Sequence, residues 1–392
     1  MGWRIGRLAD LCTEDREILP AGTGGGLPYV GLEDVESKSG AILRYLGPDD
    51  TDVPSGTAFR FSPHHILYGK LRPYLNKVAL PDRDGRCSTE LIPLRPKSDT
   101  SREFAAYALR RPDVVRAVMA RNKGARMPRA DIEFLLTLPI VIPPLAAQRR
   151  IVDILARVEG IIRLQRQAAG KAREIIPAFF LNMFGDPVTN PKGWPVTTIG
   201  DVIEKADYGT SKKASSNGSG IAIIRMGNVT YGGDLDLLDT KHVELSEEER
   251  QKYSLGDEDI LFNRTNSKEL VGKTGLWDGR FEAVAASYFI RVRANRSAVL
   301  PFYLWAFLNT AYMKHRLFAV ARGAIGQSNI NAKELRAFSI PIPTLRLQKE
   351  FSDRVIEIRS ILAQRDMSQR SGDALFLALL AQTFSGQLGE AI

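Results

Sequence analysis

The chain repeats itself, and this internal duplication constrains its fold more than any other feature of the sequence. The segment Ile142–Gln148 returns 200 positions later as Ile342–Gln348, and the alignment continues without a gap to Phe184 and Phe384. A duplication of this length predicts two similar modules in one chain. Each copy has a mixed α/β segment, a proline-marked helix start and a long helix. This organisation suits a ligand that itself has two separated sites.

The repeat also extends upstream, with small changes of offset. Trp3 and Trp194 are related by an offset of 191, and Ile66–Tyr68 and Ile260–Phe262 by an offset of 194. Nearly the whole chain is therefore covered. The similarity is weakest between these anchors, which is typical of related scaffolds that carry different variable surfaces.

Bulk composition sets broad limits on the class of protein. A chain of 392 residues is long enough for two ordinary domains with connecting helices, and 44% hydrophobic and 25% charged residues indicate a globular fold. No apolar run reaches the roughly 18 residues that span a bilayer, and no apolar signal segment begins the chain, so we expect a cytoplasmic protein. Cys12 and Cys87 are too few for a disulfide framework or a cysteine-based zinc site.

The charge balance favours a polyanionic partner. Lys and Arg number 54 against 45 Asp and Glu, which gives a net charge of +9 and a pI near 9.5. Charge alone leaves open a basic protein with no nucleic-acid role. The polyanion interpretation gains from the crowding of basic residues in one short stretch: Arg116, Arg121, Lys123, Arg126 and Arg129.

After the repeated proline motif, apolar or small residues alternate at spacings of four and three, which predicts a coiled-coil seam. In the first copy these positions are Ile151, Leu155, Val158, Ile162, Ala169, Ala172, Ile176, Phe179 and Met183. In the second copy they are Phe351, Val355, Ile358, Leu362, Phe376 and Leu379. Plain core helices are the alternative interpretation.

The two predicted helices differ at one position. Roughly 34 helical residues would extend about 50 Å, enough for a spacer between the modules, and two such helices can pack antiparallel in a pseudo-twofold arrangement. Pro177 lies within the first helix, and an interior proline loses a backbone hydrogen bond. Leu377 stands at the equivalent place, so we expect a break in the first helix and none there in the second.

A polar stretch follows a predicted strand in the second module. Asn263–Lys268 comes directly after Ile260–Phe262. Asn and Arg can pair with adenine and guanine in the major groove, and Ser, Thr and Lys suit phosphate oxygens. An ordinary polar connection is the alternative. Gly272–Thr274 resembles the end of a phosphate-binding loop, but that motif requires a glycine where Ser267 stands, so we do not favour a nucleotide site.

Three further loops share these features. Tyr68–Tyr74 occupies the matching place in the first module and is basic, with aromatic residues beside it. Lys123–Arg129 and Arg322–Asn329 precede the long helices, and their glycines would allow close backbone approach to a ligand while Arg, Gln and Asn contact a groove. A tight turn beside a helix explains these last two loops equally well.

No catalytic constellation is recognisable in the sequence. His64 and His65 are adjacent, whereas His242 and His315 are isolated, and none belongs to a metalloprotease motif or a triad. Gly22–Gly26 lacks a following helix-forming run, so we interpret it as a flexible loop and not as a cofactor site. The pattern favours a binding protein, with an enzyme of unrecognised type as one alternative and a helical scaffold for partner proteins as another.

Several motifs together resemble the specificity subunits of type I restriction-modification enzymes. These are the repeated Ile-Pro-x-x-Leu-x-x-Gln helix entry, the junction from Phe184–Pro187 to Trp194–Pro195, and the ending Leu379–Leu388. The stretch Asn263–Lys273 also resembles one that is common in the target recognition domains of that family. The resemblance covers essentially the full chain, and its motifs are specific in their combination and order.

The resemblance implies a noncatalytic DNA reader with a mixed α/β (α+β) fold. Two target recognition domains, at 1–143 and 185–343, would each read one half of a bipartite asymmetric site. Two long antiparallel coiled-coil helices, at 144–184 and 344–392, would set the gap between the halves in a pseudo-twofold internal repeat. They would also dock methyltransferase subunits, typically two.

The resemblance further implies that the chemistry belongs to partner subunits. S-adenosylmethionine is expected on the methyltransferases, and ATP and Mg on restriction and translocase subunits, with no cofactor in this chain. Asn190–Gly193 only begins like the methyltransferase Asn-Pro-Pro-aromatic signature. The predicted DNA contacts are Lys70, Arg72, Arg126, Arg129, Arg225, Asn263, Arg264, Asn266, Lys268, Lys273, Gln327 and Asn329.

Overall fold

The structure is a computed structural model that describes residues 3–47, 49–122, 126–215, 218–321 and 328–384. The chain divides into two compact units. Unit 1 comprises Met1–Arg166 together with Ser368–Ile392, and unit 2 comprises Gln167–Met367. The predicted boundaries at 143, 184 and 343 stay a prediction, because compactness and an internal repeat divide a chain by different criteria. Among the described residues, no helix is both long and apolar enough to cross a membrane.

Unit 1 is a mixed α/β body of short strands. The strands are β1 (Arg4–Arg7), β2 (Cys12–Glu14), β3 (Glu17–Leu19), β4 (Tyr29–Val30), β5 (Ala58–Phe61), β6 (Ile66–Gly69), β7 (Val78–Ala79), β8 (Gly85–Ser88), β9 (Leu91–Pro96) and β10 (Pro139–Ile142). The helices α1 (Arg102–Leu109), α2 (Pro112–Ala120) and α3 (Ile132–Thr137) follow β9. One antiparallel sheet has the order β2-β9-β6-β7, and β1 pairs with β10. A second, mixed sheet has the order β3-β5-β8-β4, in which β4 pairs with β8 in parallel.

Two long helical segments follow, α4 (Leu145–Arg173) and α5 (Ile175–Phe184). The strands of unit 2 are β11 (Val196–Thr198), β12 (Ile203–Tyr208), β13 (Ile221–Ile224), β14 (Lys241–Val243), β15 (Ile260–Asn263), β16 (Thr265–Asn266), β17 (Thr274–Leu276), β18 (Ala283–Ala285), β19 (Phe289–Ala294), β20 (Ser328–Asn329) and β21 (Ser339–Pro341). Its helices are α6 (Glu247–Tyr253), α7 (Pro301–Leu308), α8 (Ala311–Val320), α9 (Ala332–Arg336) and the long α10 (Leu345–Phe384). The sheet β12-β19-β15-β17 has the same order of equivalent strands as β2-β9-β6-β7 in unit 1.

The glutamine of the repeated motif has a structural role in both units. Gln148 is buried, and its Oε1 accepts a hydrogen bond from the backbone N–H of Ser101 at 2.9 Å. Gln348 is buried in the same way, and its Oε1 accepts from the N–H of Leu300 at 2.8 Å. Each Nε2 donates to the carbonyl of the preceding Ile-Pro segment, at 3.0 and 2.8 Å. The motif therefore fastens the start of each long helix to its own module.

The core of unit 1 includes side chains from both long helices. Leu155 of α4 and Leu380 of α10 belong to the same buried cluster, and the ring of Phe384 lies 4.9 Å from that of Phe104. Burying a large apolar side chain contributes roughly 1.5–3 kcal/mol. The final turns of α10 therefore contribute to the stability of unit 1.

The core of unit 2 repeats this arrangement with aromatic residues. Phe351 of α10 lies 5.8 Å from Phe180 and 5.1 Å from Phe184, measured between ring centroids. The Tyr303 ring stacks on Phe180 at 5.4 Å. Phe184 and Tyr303 thus correspond to Phe384 and Phe104 of unit 1, so the sequence repeat is also a repeat of core packing.

The expected break in the first helix is present. α4 ends at Arg173 and α5 begins at Ile175, so the interruption falls just before Pro177. Proline has no N–H to donate to the carbonyl four residues earlier, which here belongs to Arg173. α10 continues through Leu377 and is 40 residues long. The predicted difference between the two helices is confirmed.

The helices run in opposite directions within each unit. In unit 2, Arg173 pairs with Asp366 at 3.3 Å, whereas Phe179, further along the chain, stacks on Phe351 at 5.6 Å. In unit 1, Leu155 of α4 shares a buried cluster with Leu380 of α10, whereas Arg166, further along α4, pairs with the earlier Asp373 of α10 at 2.7 Å. Most of the predicted seam positions are buried or half-buried, which agrees with their spacing.

Candidate nucleic-acid interface

In unit 1 the structure brings together two basic loops that are far apart in sequence. The N–H of Arg72 donates to the carbonyl of Pro128 at 2.7 Å, and the N–H of Ala130 donates to the carbonyl of Lys70 at 2.7 Å. These backbone hydrogen bonds join the loop after β6 to the loop before α3. The loops that were predicted separately therefore form one surface, which we call the unit 1 loop pair (residues 70–72 and 126–130).

The four predicted contacts of this loop pair are not equally available. Arg129 is held by Glu90, whose carboxylate accepts from the guanidinium at 3.2 Å. Arg72 and Arg126 are exposed and Lys70 is half-buried, and none of the three side chains has a hydrogen-bond partner in the described part of the chain. Arg72 also has a φ of 53°, a strained left-handed conformation that clusters at functional sites.

Unit 2 has a loop pair with the same construction (residues 263–268 and 328–330). β16 pairs with β20, which places Asn266 opposite Ser328. The N–H of Ile330 donates to the carbonyl of Arg264 at 2.9 Å, and the N–H of Arg264 donates to the carbonyl of Tyr288 at 2.8 Å. The polar stretch after β15 is therefore fixed by backbone hydrogen bonds on both sides.

Two of the predicted DNA contacts lie beneath this surface. Asn263 is fully buried, and its side chain donates to the carbonyl of Tyr288 at 3.3 Å and accepts from Asn266 at 2.9 Å. Lys273 is also buried; its Nζ donates to the carbonyl of Val229 at 2.7 Å, and burial lowers the pKa of the amine. Because these polar groups are used internally, the prediction that both residues contact DNA is wrong. Asn263 supports the loop pair, and Lys273 supports the segment from Met226 to Val229.

The other predicted residues of unit 2 differ in their surroundings. Arg225 follows β13, and its guanidinium donates to Asp239 at 2.9 Å, which lowers the pKa of that carboxyl. Lys268 is exposed, with its Nζ 4.4 Å from the centre of the Phe318 ring. Asn329 is exposed and pairs with Thr265 in the β16–β20 ladder, while Gln327 lies outside the described residues.

Arg264 has an aromatic partner that sequence reasoning missed. Its guanidinium carbon lies 4.7 Å from the centre of the Tyr208 ring, a cation–π distance. Tyr208 ends strand β12 and was not singled out because nothing in its local sequence indicates the contact. The same is true of Phe318 on α8. Only the structure distinguishes them, because both are aromatic residues that remain exposed, Tyr208 at 45% and Phe318 at 44%.

The chemistry of these surfaces is that of binding to an anion. Each loop pair combines exposed cations with a backbone that is already ordered, which suits contacts to phosphates and base edges. Within the described ranges, no group of three or more His, Cys, Asp or Glu side chains could hold a metal ion.

Known proteins resemble this chain in sequence. The family model described as type I restriction modification DNA specificity domain matches residues 59–170 and 191–360. A putative type I restriction enzyme MjaX specificity subunit from Methanocaldococcus jannaschii is 29% identical over 164 residues, which cover 41% of this chain and 38% of that relative. The type I restriction enzyme StySPI specificity subunit from Salmonella potsdam is 25% identical over 313 residues, which cover 75% of this chain and 67% of that relative.

The fold also has a solved counterpart. A chain from a structure described as the structural basis underlying complex assembly and conformational transition of the type I R-M system superposes with a TM-score of 0.56 at 20% identity. It covers 97% of both chains, so the likeness of fold is not confined to one unit. Because the two segments matched by the family model make up more than half of the sequence, this chain belongs to the type I restriction-modification DNA specificity family.

Proposed function

We propose that this chain is the DNA sequence-recognition subunit of a type I restriction-modification complex, and that each recognition segment reads one half of a bipartite asymmetric site. The observation that carries the proposal is the loop pair, which occurs once in each unit. Both loop pairs present cations on backbone that is hydrogen-bonded on two sides. Preformed basic surfaces bind DNA through phosphates and leave selected side chains to read base edges.

The candidate contacts are the side chains that remain available. In unit 1 these are Lys70, Arg72 and Arg126, and in unit 2 they are Arg264, Lys268 and Asn329. Asn266 would first have to leave Asn263, to which its amide donates at 2.9 Å. Arg129 and Arg225 would first have to leave Glu90 and Asp239. The net charge of +9 adds a sequence-independent attraction to DNA.

We further propose that the long helices form an antiparallel coiled-coil spacer in a pseudo-twofold repeat. Support comes from the opposite helix directions within each unit, the buried seam positions and the matching strand orders. At about 1.5 Å per residue, a helix of the length of α10 extends about 60 Å. Such a spacer would set the number of unread base pairs between the two halves of the site.

The same helices are proposed to dock two methyltransferase subunits, with restriction and translocase subunits added to that complex. The support is a set of large apolar side chains that stay exposed on α4 and α10: Ile154, Ile161, Leu164, Ile356, Ile361, Met367, Leu375 and Leu377. Exposed apolar patches on helices are typical of protein interfaces. In this proposal the chain supplies recognition and no catalysis, and S-adenosylmethionine, ATP and Mg are bound by the partners.

The test is to co-express the chain with its candidate methyltransferase subunit and to map methylated adenines on genomic DNA. Methylation confined to one bipartite motif would support the proposal and supply both half-sites. A stable complex whose methylation ignores sequence would instead support the helical scaffold function. Turnover by the purified chain alone would indicate an enzyme.

A further inference from the structure

Arg264 is the most constrained of the available cations in the unit 2 loop pair. Its backbone N–H donates to Tyr288 at 2.8 Å and its carbonyl accepts from Ile330 at 2.9 Å, so both sides of the residue are fixed. The guanidinium carbon lies 4.7 Å from the centre of the Tyr208 ring. An arginine held at its backbone and at one face of its guanidinium loses little conformational entropy on binding.

Tyr208 is itself held in place. Its backbone pairs with Ile290 at the end of the β12–β19 ladder, and its hydroxyl oxygen accepts from the N–H of Ala332 at 3.2 Å. That hydrogen bond connects the ring to the first turn of α9. The ring is nevertheless 45% exposed, so it is a fixed aromatic face at the protein surface and not a core residue.

The unused hydrogen-bond donors of the Arg264 guanidinium indicate which ligand it can bind. Its Nε is buried and has no hydrogen-bond partner, and neither Nη group is hydrogen-bonded within the part of the chain that the structure describes. Two Nη donors in one plane match the O6 and N7 acceptors that guanine presents in the major groove. Arg225 differs, since one of its Nη groups already donates to Asp239.

We propose that Arg264 reads a guanine in the half-site contacted by unit 2, and that Tyr208 is the positioning residue that orients its guanidinium for this contact. The inference rests on the proposed function, because it requires that unit 2 binds DNA. The inference specifies the base at one position of the DNA site. It also identifies a residue, Tyr208, that affects recognition of that base without touching DNA.

The experiment uses the chain assembled with its methyltransferase subunit and compares methylation motifs across variants. Arg264→Ala should lower the preference for guanine at one position of one half-site by on the order of 10- to 100-fold, the range for loss of a bidentate base contact. The other half-site should be unchanged. If Arg264→Ala weakens methylation of all sites uniformly and makes the salt dependence shallower, Arg264 contacts phosphate and the proposal is wrong, although unit 2 still binds DNA.

Tyr208→Leu should reproduce the loss of guanine preference at that same position. Tyr208→Phe should keep most of that preference, because the ring face remains and the β12–β19 ladder still holds its backbone after the hydroxyl is removed. In the Arg264→Ala background, Tyr208→Leu should add nothing further, since the two residues act as one unit. Retention of full guanine preference by Tyr208→Leu, with Arg264→Ala impaired, would overturn the positioning role.

Assembly and the thermal midpoint separate a folding defect from a recognition defect. Should Tyr208→Leu fail to assemble, Tyr208→Gln makes the same test with a polar side chain at this exposed position. A wild-type complex that methylates without a bipartite motif would contradict the proposed function itself, before any variant is compared.

Discussion

Lys70 of unit 1 and Arg264 of unit 2 occupy the same place in the repeated fold, and their side chains have different surroundings. The N–H of each residue donates to a neighbouring segment, to Glu90 at 2.9 Å and to Tyr288 at 2.8 Å. Arg264 lies against Tyr208, whereas Lys70 has no cation–π partner among the described residues. The duplicated backbone thus holds the loops in the same way in both units. DNA recognition can therefore differ between the units through side chains alone.

Each unit also has a lysine beneath its surface loops, and the two lysines differ in the hydrogen bonds that they donate. In unit 1, the Nζ of Lys77 donates to the carbonyl of Leu32 at 2.8 Å. In unit 2, the Nζ of Lys273 donates to Met226, the equivalent of Leu32, at 2.9 Å and to a second carbonyl at 2.7 Å. Burial lowers the pKa of both amines. A lysine that supports a loop from within is therefore common to both units, whereas the exposed cations are not.

Changing the length of the proposed spacer should have the largest effect, because in this proposal the helices set the distance between the two recognition segments. Inserting four helical residues after Ala169 and after Gln369 should lengthen the spacer by about 6 Å. The preferred gap in the DNA site should then grow by about two base pairs of about 3.4 Å each. Methylation mapping measures the gap. Four alanine substitutions at the same places keep the length and serve as the control, and an unchanged gap in the insertion variant would contradict the spacer function.

Removing the repeated glutamine should destabilise each unit by a similar amount. Gln148→Leu and Gln348→Leu each leave a partly buried N–H and a buried carbonyl without this partner, at up to about 1–3 kcal/mol for each group. We expect comparable losses in the free energy of unfolding, measured by urea denaturation. Arg149→Ala and Glu350→Ala are the controls, since both side chains are exposed beside the glutamines. A large loss in only one unit would show that the motif is structural in that unit alone.

Lys77, which is half-buried, and Lys273, which is buried, should show a smaller difference between the units in the free energy of unfolding. Lys273→Met removes two hydrogen bonds to carbonyls and Lys77→Met removes one, each hydrogen bond to a charged group being worth about 1.5–3 kcal/mol. The loss in unfolding free energy should therefore be larger for Lys273→Met. Equal losses would mean that the second hydrogen bond of Lys273 contributes nothing measurable.

Exchanging the two loop cations should have the smallest and most specific effect. Arg264→Lys keeps the charge but loses the planar pair of donors, so guanine preference at one position should fall by about 1–3 kcal/mol. Lys70→Arg should gain no comparable preference, because no aromatic ring orients the new guanidinium. Methylation motifs of the two variants measure both effects. A new guanine requirement in the Lys70→Arg variant would show that the backbone alone orients the side chain.

Local sequence signals predicted the helical part of the fold well. The Ile-Pro motif placed the starts of α4 and α10, and Pro177 indicated the break before α5, because both effects depend on neighbouring residues along one helix. The contact between the two loops of each pair could not be predicted in the same way. It depends on backbone pairing between segments that are more than 50 residues apart.

The candidate site was predictable in location and less so in detail. Asn263 has a side chain that is suited to reading bases, but it is buried. The exposure of a residue at a strand end depends on what covers that end and not on the local sequence. Tyr208 was missed for the complementary reason: its importance comes from Arg264, 56 positions away, and no local pattern connects them. Polar character predicts where a ligand binds better than it predicts which side chain touches it.

The long helices also affect the order in which the two units can complete their folding. Unit 2 is one continuous segment, Gln167–Met367, whereas the core of unit 1 needs Leu380 and Phe384 from the last turns of α10. Domains generally fold from the N-terminus as they leave the ribosome. Here the module translated first must wait for residues that follow the later module in the chain, so its core is completed only after that later module already has all of its parts.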